Sequence, residues 1–360
     1  YINLGLQHQK DKSEILGKVS DLLDSGIFIL GEEVKQFESQ FAALSGTKYA
    51  VGVANGTDGL ILSMRALGIG PGDEVITAPN SYLASASSIE LVGATAVFAD
   101  VSSSYNLDPI EIEKKISPKT KAIIAVHLTG RPADMDAINE VACKHNLFVI
   151  EDAAQAVGAT YKGKPVGGLG FIGSFSLHPL KNLAAIGDAG IITTNDEKVY
   201  EFLLKARTHG MKSRDECEFW SINSRLDAVQ AAILNVKIKR IGEWTARRRE
   251  IAAKYQEGIG HLVHVPRDDE HTYSVYHTFI IRSKRRDELQ AYLAEQGIDT
   301  KVHYPIAIHQ QEAAKQIASA SDSYPETEKQ IEEILSLPVY PELTDEQVEH
   351  VISQIINFYS

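Results

Sequence analysis

Apolar residues recur every three or four positions through residues 11–24. They do so again through GEEVKQFESQFAAL, where Val34, Phe37, Phe41 and Leu44 share one face. That period predicts two amphipathic helices. A third is predicted after Gly56-Thr57, with Leu60, Ile61, Met64 and Leu67 turned inward; Gly68 stops it, and Pro71-Gly72 turns the chain into EVITA. Further runs are short and apolar: ATAVFADV, KAIIAVHL, NLFVIED, GSFSLH and GIITT. Strands buried on both faces read this way, so the pattern predicts an α/β sheet covered by helices on both sides. GIITTND is expected to lie antiparallel or at an edge.

A long helix is predicted from near Ser224, with many charges at its far end in VKIKRIGEWTARRRE. Beyond it SVYHTFIIRS and TKVHY read as strands, and RRDELQAYLAEQG as a helix closed by Gly297. The last helix has a capping box, Thr344 with Gln347, and an apolar stripe of Val348, Val351, Ile352, Ile355 and Ile356. The change of pattern divides the chain into a large α/β domain, residues 1–245, and a smaller C-terminal α+β domain, residues 246–360. A length of 360 residues suits two domains.

Composition narrows the function. With 44% hydrophobic and 23% charged residues the chain is not a disordered one. A net charge of −12 argues against bulk electrostatic binding of nucleic acid, but leaves room for a small anion held by local donors. No apolar run reaches the roughly 18 residues a membrane span needs. The opening YINLGLQHQKDK lacks the apolar segment of a signal peptide and begins with Tyr, so a missing or processed start is expected. Cys143 and Cys217 are far apart and form no CxxC, which fits a reducing cytoplasm rather than a disulfide or zinc scaffold.

Three places could carry chemistry. NLFVIED ends a strand on Asp152, and open α/β sheets place ligands at the carboxyl ends of their strands. A carboxylate there could serve a metal, a base or a protonated ring nitrogen, or could simply cap a helix. Lys181 follows a strand and a turn forced by Pro179, ahead of a Gly-rich return. Loop lysines are usually solvated, yet an amine held in an apolar pocket loses basicity and can attack a carbonyl. In Ala54-Asn55-Gly56-Thr57-Asp58 a strand passes through Gly into a helix, whose free N–H groups and Thr hydroxyl could hold a phosphate. Plain capping by Thr57 or Asp58 is the alternative. Together the three suit pyridoxal 5'-phosphate, which needs a Lys, an acid for its ring nitrogen and a helix N-terminus for its phosphate. No dinucleotide or P-loop glycine fingerprint is present, which disfavours an NAD-binding protein.

The chain also resembles DegT/StrS-type sugar aminotransferases, a branch of the fold-type I pyridoxal phosphate enzymes. SGIFILGEEVKQFE, VGVANGTDGL, GDEVITAPNSYLASASSI, VHLTGRPADMDAI, VIEDAAQAVGA, FSLHPLKNL, NSRLDAVQAAIL, VHYP and LSLPVYPELTDEQVE occur in family order. The resemblance implies a mostly parallel mixed sheet sandwiched by helices. It implies Lys181 as the Schiff-base lysine and proton carrier, Asp152 at the ring nitrogen and Gln155 at the ring hydroxyl. Gly56, Thr57 and Ser176 would hold the phosphate. Tyr82 would stack on the ring, unless it is a core aromatic. Asn223 would reach the phosphate of a neighbouring subunit in a homodimer, a role compatible with capping a helix. His178 and Tyr304 are candidates for the sugar pocket, with His303 and His309 in the same stretch as Tyr304; His178 could equally be structural. No carboxylate or Cys near His303 and His309 supports a metal site.

Some relatives replace the lysine with His and become dehydratases; Lys181 favours transamination. KNLAAIGDAG is similar to the branch acting on 3-keto sugars. The implied reaction moves an amino group from L-glutamate to a nucleotide-linked keto sugar. Amination of a 4-keto sugar or a cyclitol, or a non-catalytic cofactor-binding regulator, are the alternatives. Lys162 and Lys164, the KSR at 212–214 and Arg247-Arg248-Arg249 are candidate partners for the diphosphate, though such runs are more often solvated faces.

Overall fold

The computed structural model describes residues 2–360. Seven strands form the main sheet: β1 (Tyr49–Val53), β2 (Glu74–Thr77), β3 (Thr95–Phe98), β4 (Thr120–Val126), β5 (Phe148–Asp152), β6 (Ile172–Ser176) and β7 (Gly190–Thr194). Their order is β1-β7-β6-β5-β4-β2-β3. The pairs from β3 through β6 are parallel, and β7 runs antiparallel to both β6 and β1. The α/β expectation holds. GIITT is antiparallel as expected, but it is no edge: every residue of β7 is buried, and both of its sides are hydrogen-bonded.

The helix Gly56–Ala66 shows why one apolar stripe understates a sandwiched helix. Leu60 and Met64 enter a core with Val75, Phe98 and Ile124. Leu62 enters another with Val51, Ile172 and Ile192. Ile61 and Leu67 are only half-buried. In the last helix, Asp345–Tyr359, the capping box forms as expected, with Thr344 Oγ1 accepting from Gln347 N (3.3 Å) and Gln347 Oε1 from Thr344 N (3.0 Å). Val348, Val351 and Ile355 are buried, whereas Ile356 faces solvent.

Two expectations need correction. The long helix starts at Ala228, not Ser224; it runs to Lys237, tightens through the turn Ile238–Arg240, and continues as Ile241–Ile259. TKVHY is not a strand: only Lys301 bridges, to Ser336. Ser336 belongs to β9 (Ile334–Leu337), which pairs antiparallel with β8 (Phe279–Arg282). Four residues ahead of Pro338 are too few to display a period, so β9 was not legible.

Tyr255, Phe279, Leu289, Leu335, Val348 and Ile355 form a core drawn wholly from the C-terminal part. Ile280, Ile308, Tyr324 and Ile334 instead share a core with Leu60 and Phe98. Asp100, just past β3, accepts from Glu326 N (2.9 Å), Thr327 N (3.0 Å) and Thr327 Oγ1 (2.8 Å) at the start of the helix Pro325–Glu333. A two-unit division at 245/246, which we propose on the separate C-terminal core, therefore runs through a continuous helix rather than a linker.

Candidate active site

Two adjacent acids end β5, and strand alternation sends them to opposite faces. Glu151 is fully buried and accepts from Gly167 N (2.7 Å), Leu169 N (2.8 Å), Gly170 N (2.6 Å) and His127 Nε2 (2.9 Å). His127 Nδ1 accepts from Ala133 N (3.0 Å), so the proton lies on Nε2 and the imidazole donates to Glu151. That acid is consumed by structure. Asp152 points the other way, accepting from Ser85 Oγ at Oδ2 (2.8 Å) and from Ala154 N at Oδ1 (3.3 Å).

Lys181 shares this face. After β6 the chain turns through His178–Lys181, closed by Lys181 N donating to His178 O (2.8 Å). Burial lowers the pKa of the Lys181 amine, and the charge of Asp152 opposes that shift. Two imidazoles lie within electrostatic reach. Burial, then the nearby Lys181, hold His277 well below its ordinary range and His303 down to about 4. Both are therefore neutral at pH 7.

Beside β6 begins the helix Gly56–Ala66. Its cap is Asn55, whose Oδ1 accepts from Asp58 N (2.8 Å), rather than Thr57 or Asp58. The N–H groups of Gly56 and Thr57 belong to the unbonded first turn, so they and the Thr57 hydroxyl remain available for an anion. Side chains are excluded on both sides. A Cβ on Gly56 would lie 2.8 Å from Ser176 Cβ, and one on Gly190 would lie 2.4 Å from Asn55 C and O. Gly190→Ala is expected to push the Asn55–Gly56 turn away. Overpacking of this kind costs ~1–3 kcal/mol, read as a lower urea midpoint, with weaker retention of pyridoxal phosphate in a fluorescence titration. Unchanged stability and affinity would show that the close approach is unimportant.

Tyr82 is 56% exposed, so it is not a core aromatic. Its ring centroid lies 5.7 Å from that of Tyr304. Tyr304 stands over Gln155, whose Nε2 reaches its Oη at a long 3.5 Å, while Gln155 Oε1 accepts from Thr129 N (2.6 Å). Burial, then the Asp152 carboxylate, raise the Tyr304 pKa. Thus Asp152, Lys181, Gln155, Tyr82 and Tyr304 converge at the carboxyl edge of the sheet, with Gly56, Thr57 and Ser176 alongside.

Other candidates lie elsewhere. His178 is exposed and closes its own turn, Nδ1 accepting from Leu180 N (3.3 Å). Asn223 is exposed and bridges to Thr208; it caps no helix, because the helix begins only at Ala228. His309 is buried against Phe98 and Tyr324, with Glu328 at 3.7 Å, and no group of three metal-ligating side chains occurs among the described residues. The arginine cluster is a solvated face only in part: Arg248 is buried, and Arg247 and Arg249 are half-buried. Arg247 pairs with Glu250 and Asp345, Arg249 with Asp268, and buried Arg248 donates to Tyr276 O and Val339 O. Lys162 pairs with Asp136 and Lys212 with Glu216. The residue reading missed Ser85, Asn182 and His277. Ser85 in NSYLASAS was the most discoverable, since the helix it enters starts beside Tyr82.

The DegT/DnrJ/EryC1/StrS aminotransferase family model matches residues 9–356. A dTDP-3-amino-3,6-dideoxy-alpha-D-galactopyranose transaminase of Aneurinibacillus thermoaerophilus is 46% identical, covering 98% of this chain and 96% of its own. A pleiotropic regulatory protein of Geobacillus stearothermophilus is 44% identical, covering 99% and 98%. The crystal structure of S. venezuelae DesV in complex with a ketimine intermediate superimposes with a TM-score of 0.96 at 39% identity, over 99% of this chain and 97% of that one. The sheet order and helical layers are the fold-type I arrangement these share. By sequence along nearly its whole length and by fold, the chain belongs to the DegT/DnrJ/EryC1/StrS aminotransferase family.

Proposed function

We propose that the protein is a pyridoxal phosphate-dependent aminotransferase that moves an amino group from L-glutamate to a nucleotide-linked 3-keto-6-deoxyhexose. The observation that carries this reading is the placing of the desolvated Lys181 amine within electrostatic reach of Asp152, beside the first-turn N–H groups of Gly56 and Thr57. The donor set fits the cofactor: an amine, a carboxylate and an anion cradle that a Cβ would fill. Close relatives named for 3-amino sugars support the acceptor and the position.

Bound pyridoxal phosphate supplies a carbonyl that captures amines and a ring that takes up an electron pair. The chain does the rest. Gly56, Thr57 and Ser176 hold the phosphate. Asp152, oriented by Ser85, keeps a ring N–H proton in place. Gln155, with Oε1 committed to Thr129 and Nε2 in only a long contact with Tyr304 Oη, has a second amide N–H that would donate to a ring oxygen. Tyr82 would stack on the bound ring, and Tyr304, whose ring lies 5.7 Å from that of Tyr82, would border the acceptor. Lys181, less basic than a free lysine, would take up and return the proton at the substrate carbon, a transfer worth ~10²–10⁴-fold.

Exposed Ile27, Phe28, Ile29, Leu83, Leu180, Ile186 and Trp220 support a homodimer, within which Asn223 would serve the partner's phosphate. No described helix is long and apolar enough to cross a membrane, and the free, exposed Cys143 and Cys217 favour a cytoplasmic location. His178, exposed on the turn that leads to Lys181, remains a candidate for sugar contact. The test supplies L-glutamate with dTDP- and UDP-linked 3-keto and 4-keto sugars and a cyclitol ketone, and follows amino product by mass. The 3-keto acceptors should turn over fastest. Preference for a 4-keto sugar would overturn the C-3 assignment, and no consumption of glutamate would favour a regulator.

A further inference from the structure

We propose that His277 is a positioning residue: through Asn182 and the segment 275–278, it holds the Lys181 backbone at a fixed place relative to Gln155. The inference rests on the reading of Lys181 and Gln155 as cofactor-contacting groups. Their pairing is not legible in the sequence, because the two residues lie 95 positions apart.

The contacts form a closed path. Asn182, next to Lys181, donates from Nδ2 to Val275 O (3.2 Å), and its Oδ1 meets His277 Nδ1 at 3.2 Å. Two residues of one short segment thus grip one side chain. On its other side the segment docks on the turn after β4. Val275 N donates to Gly130 O (2.9 Å) and Thr278 N to Thr129 O (3.4 Å). Thr129 N in turn donates to Gln155 Oε1 (2.6 Å). Lys181 and Gln155 are therefore the two ends of one hydrogen-bonded strap.

The strap has little slack. A Cβ on Gly130 would lie 2.8 Å from Val275 Cγ2, 2.9 Å from Gln155 O and 3.0 Å from His277 N, so backbone meets backbone there. Arg248 Nη1 holds the outer side at Tyr276 O (3.2 Å) and His277 O (3.5 Å). Val275 O can only accept, which turns Asn182 Oδ1 toward the imidazole, so His277 Nδ1 must carry the proton it donates. A second proton on His277 is opposed by burial and by Lys181. The imidazole is thus a neutral, directional donor, and it adds no charge beside the amine.

If the strap sets the site, loosening it should misplace Lys181 and raise the exposure of its amine. Displacements of about 1 Å cost on the order of 10²-fold in rate. In His277→Leu, kcat of the glutamate half-reaction should fall ~10–100-fold with KM within ~3-fold. Independently of bound cofactor, the pH midpoint for acetylation of Lys181, followed by peptide mass in the cofactor-free chain, should rise toward that of exposed lysines. His277→Asn keeps an N–H near the Nδ1 position and should recover most of the rate and the labelling midpoint. Wild-type kcat and labelling in His277→Leu would overturn the proposal. So would a His277→Asn variant as impaired as His277→Leu at equal stability. If His277→Leu yields no folded protein, Asn182→Ser is read by the same two measurements, and unchanged values overturn the strap. Failure of the underlying site reading is separately visible: Lys181→Ala would then retain the half-reaction.

Discussion

Lys181→Ala is expected to lower the glutamate half-reaction by ~10⁴-fold or more, because in the proposed reaction one side chain supplies both the nucleophile and the proton carrier. Stopped-flow absorbance of the cofactor after adding L-glutamate measures this. Retention of more than about 1% of the wild-type rate would sink the assignment, since acid–base transfer alone contributes ~10²–10⁴-fold. The fold should survive. The amine's pKa is lowered from 10.5 by burial, so between the lowered value and 10.5 the unfolded chain binds more protons than the folded one. Stability therefore rises with pH across that window. The Ala variant should lose this contribution, so its urea-derived stability rises less steeply with pH. Buried Lys237, lowered to about 8, makes its own similar contribution, but that is common to both proteins and cancels in the comparison.

Asp152→Asn is expected to cost ~10²–10³-fold in kcat, the size of effect seen when one preorganised electrostatic partner is removed. The substitution keeps shape, since Asn Oδ1 can still accept from Ala154 N while its Nδ2 donates to the Ser85 hydroxyl, so folding should be little changed. What disappears is the charge. A neutral amide cannot hold a positive ring N–H, and the group that raises the Lys181 pKa is gone. In the cofactor-free variant, Lys181 should therefore label at lower pH than in the wild type, the opposite direction to His277→Leu. A kcat within ~3-fold of wild type would remove Asp152 from its proposed role.

Features set by neighbouring residues were legible in the chain. The apolar runs marked every strand of the main sheet, because strands buried on both faces must be apolar throughout. Asp152 and Lys181 stood out as chemical groups in apolar or Gly-rich surroundings at strand ends. The capping box of the last helix was readable because all its partners lie within one turn. Even so, local pattern could not say which of two adjacent acids faces the site. Glu151 is spoken for by loop amides and by His127, 24 positions away, and only the packed structure shows that. The same holds for the interior place of β7, which depends on β1 returning beside it. It holds for the arginines at 247–249, where Arg248 is buried against backbone carbonyls while Arg247 and Arg249 pair with carboxylates at a half-buried surface. The sequence by itself determined the strands of the main sheet, most of its helices and the fold class, and it singled out Asp152 and Lys181 as candidates, since periodicity and turn chemistry act over a few residues. Tertiary structure alone decided strand order, the partners of buried polar groups and the strap from His277 to Gln155. Those choices depend on groups far apart in the chain whose hydrogen bonds must all be satisfied at once in the folded interior.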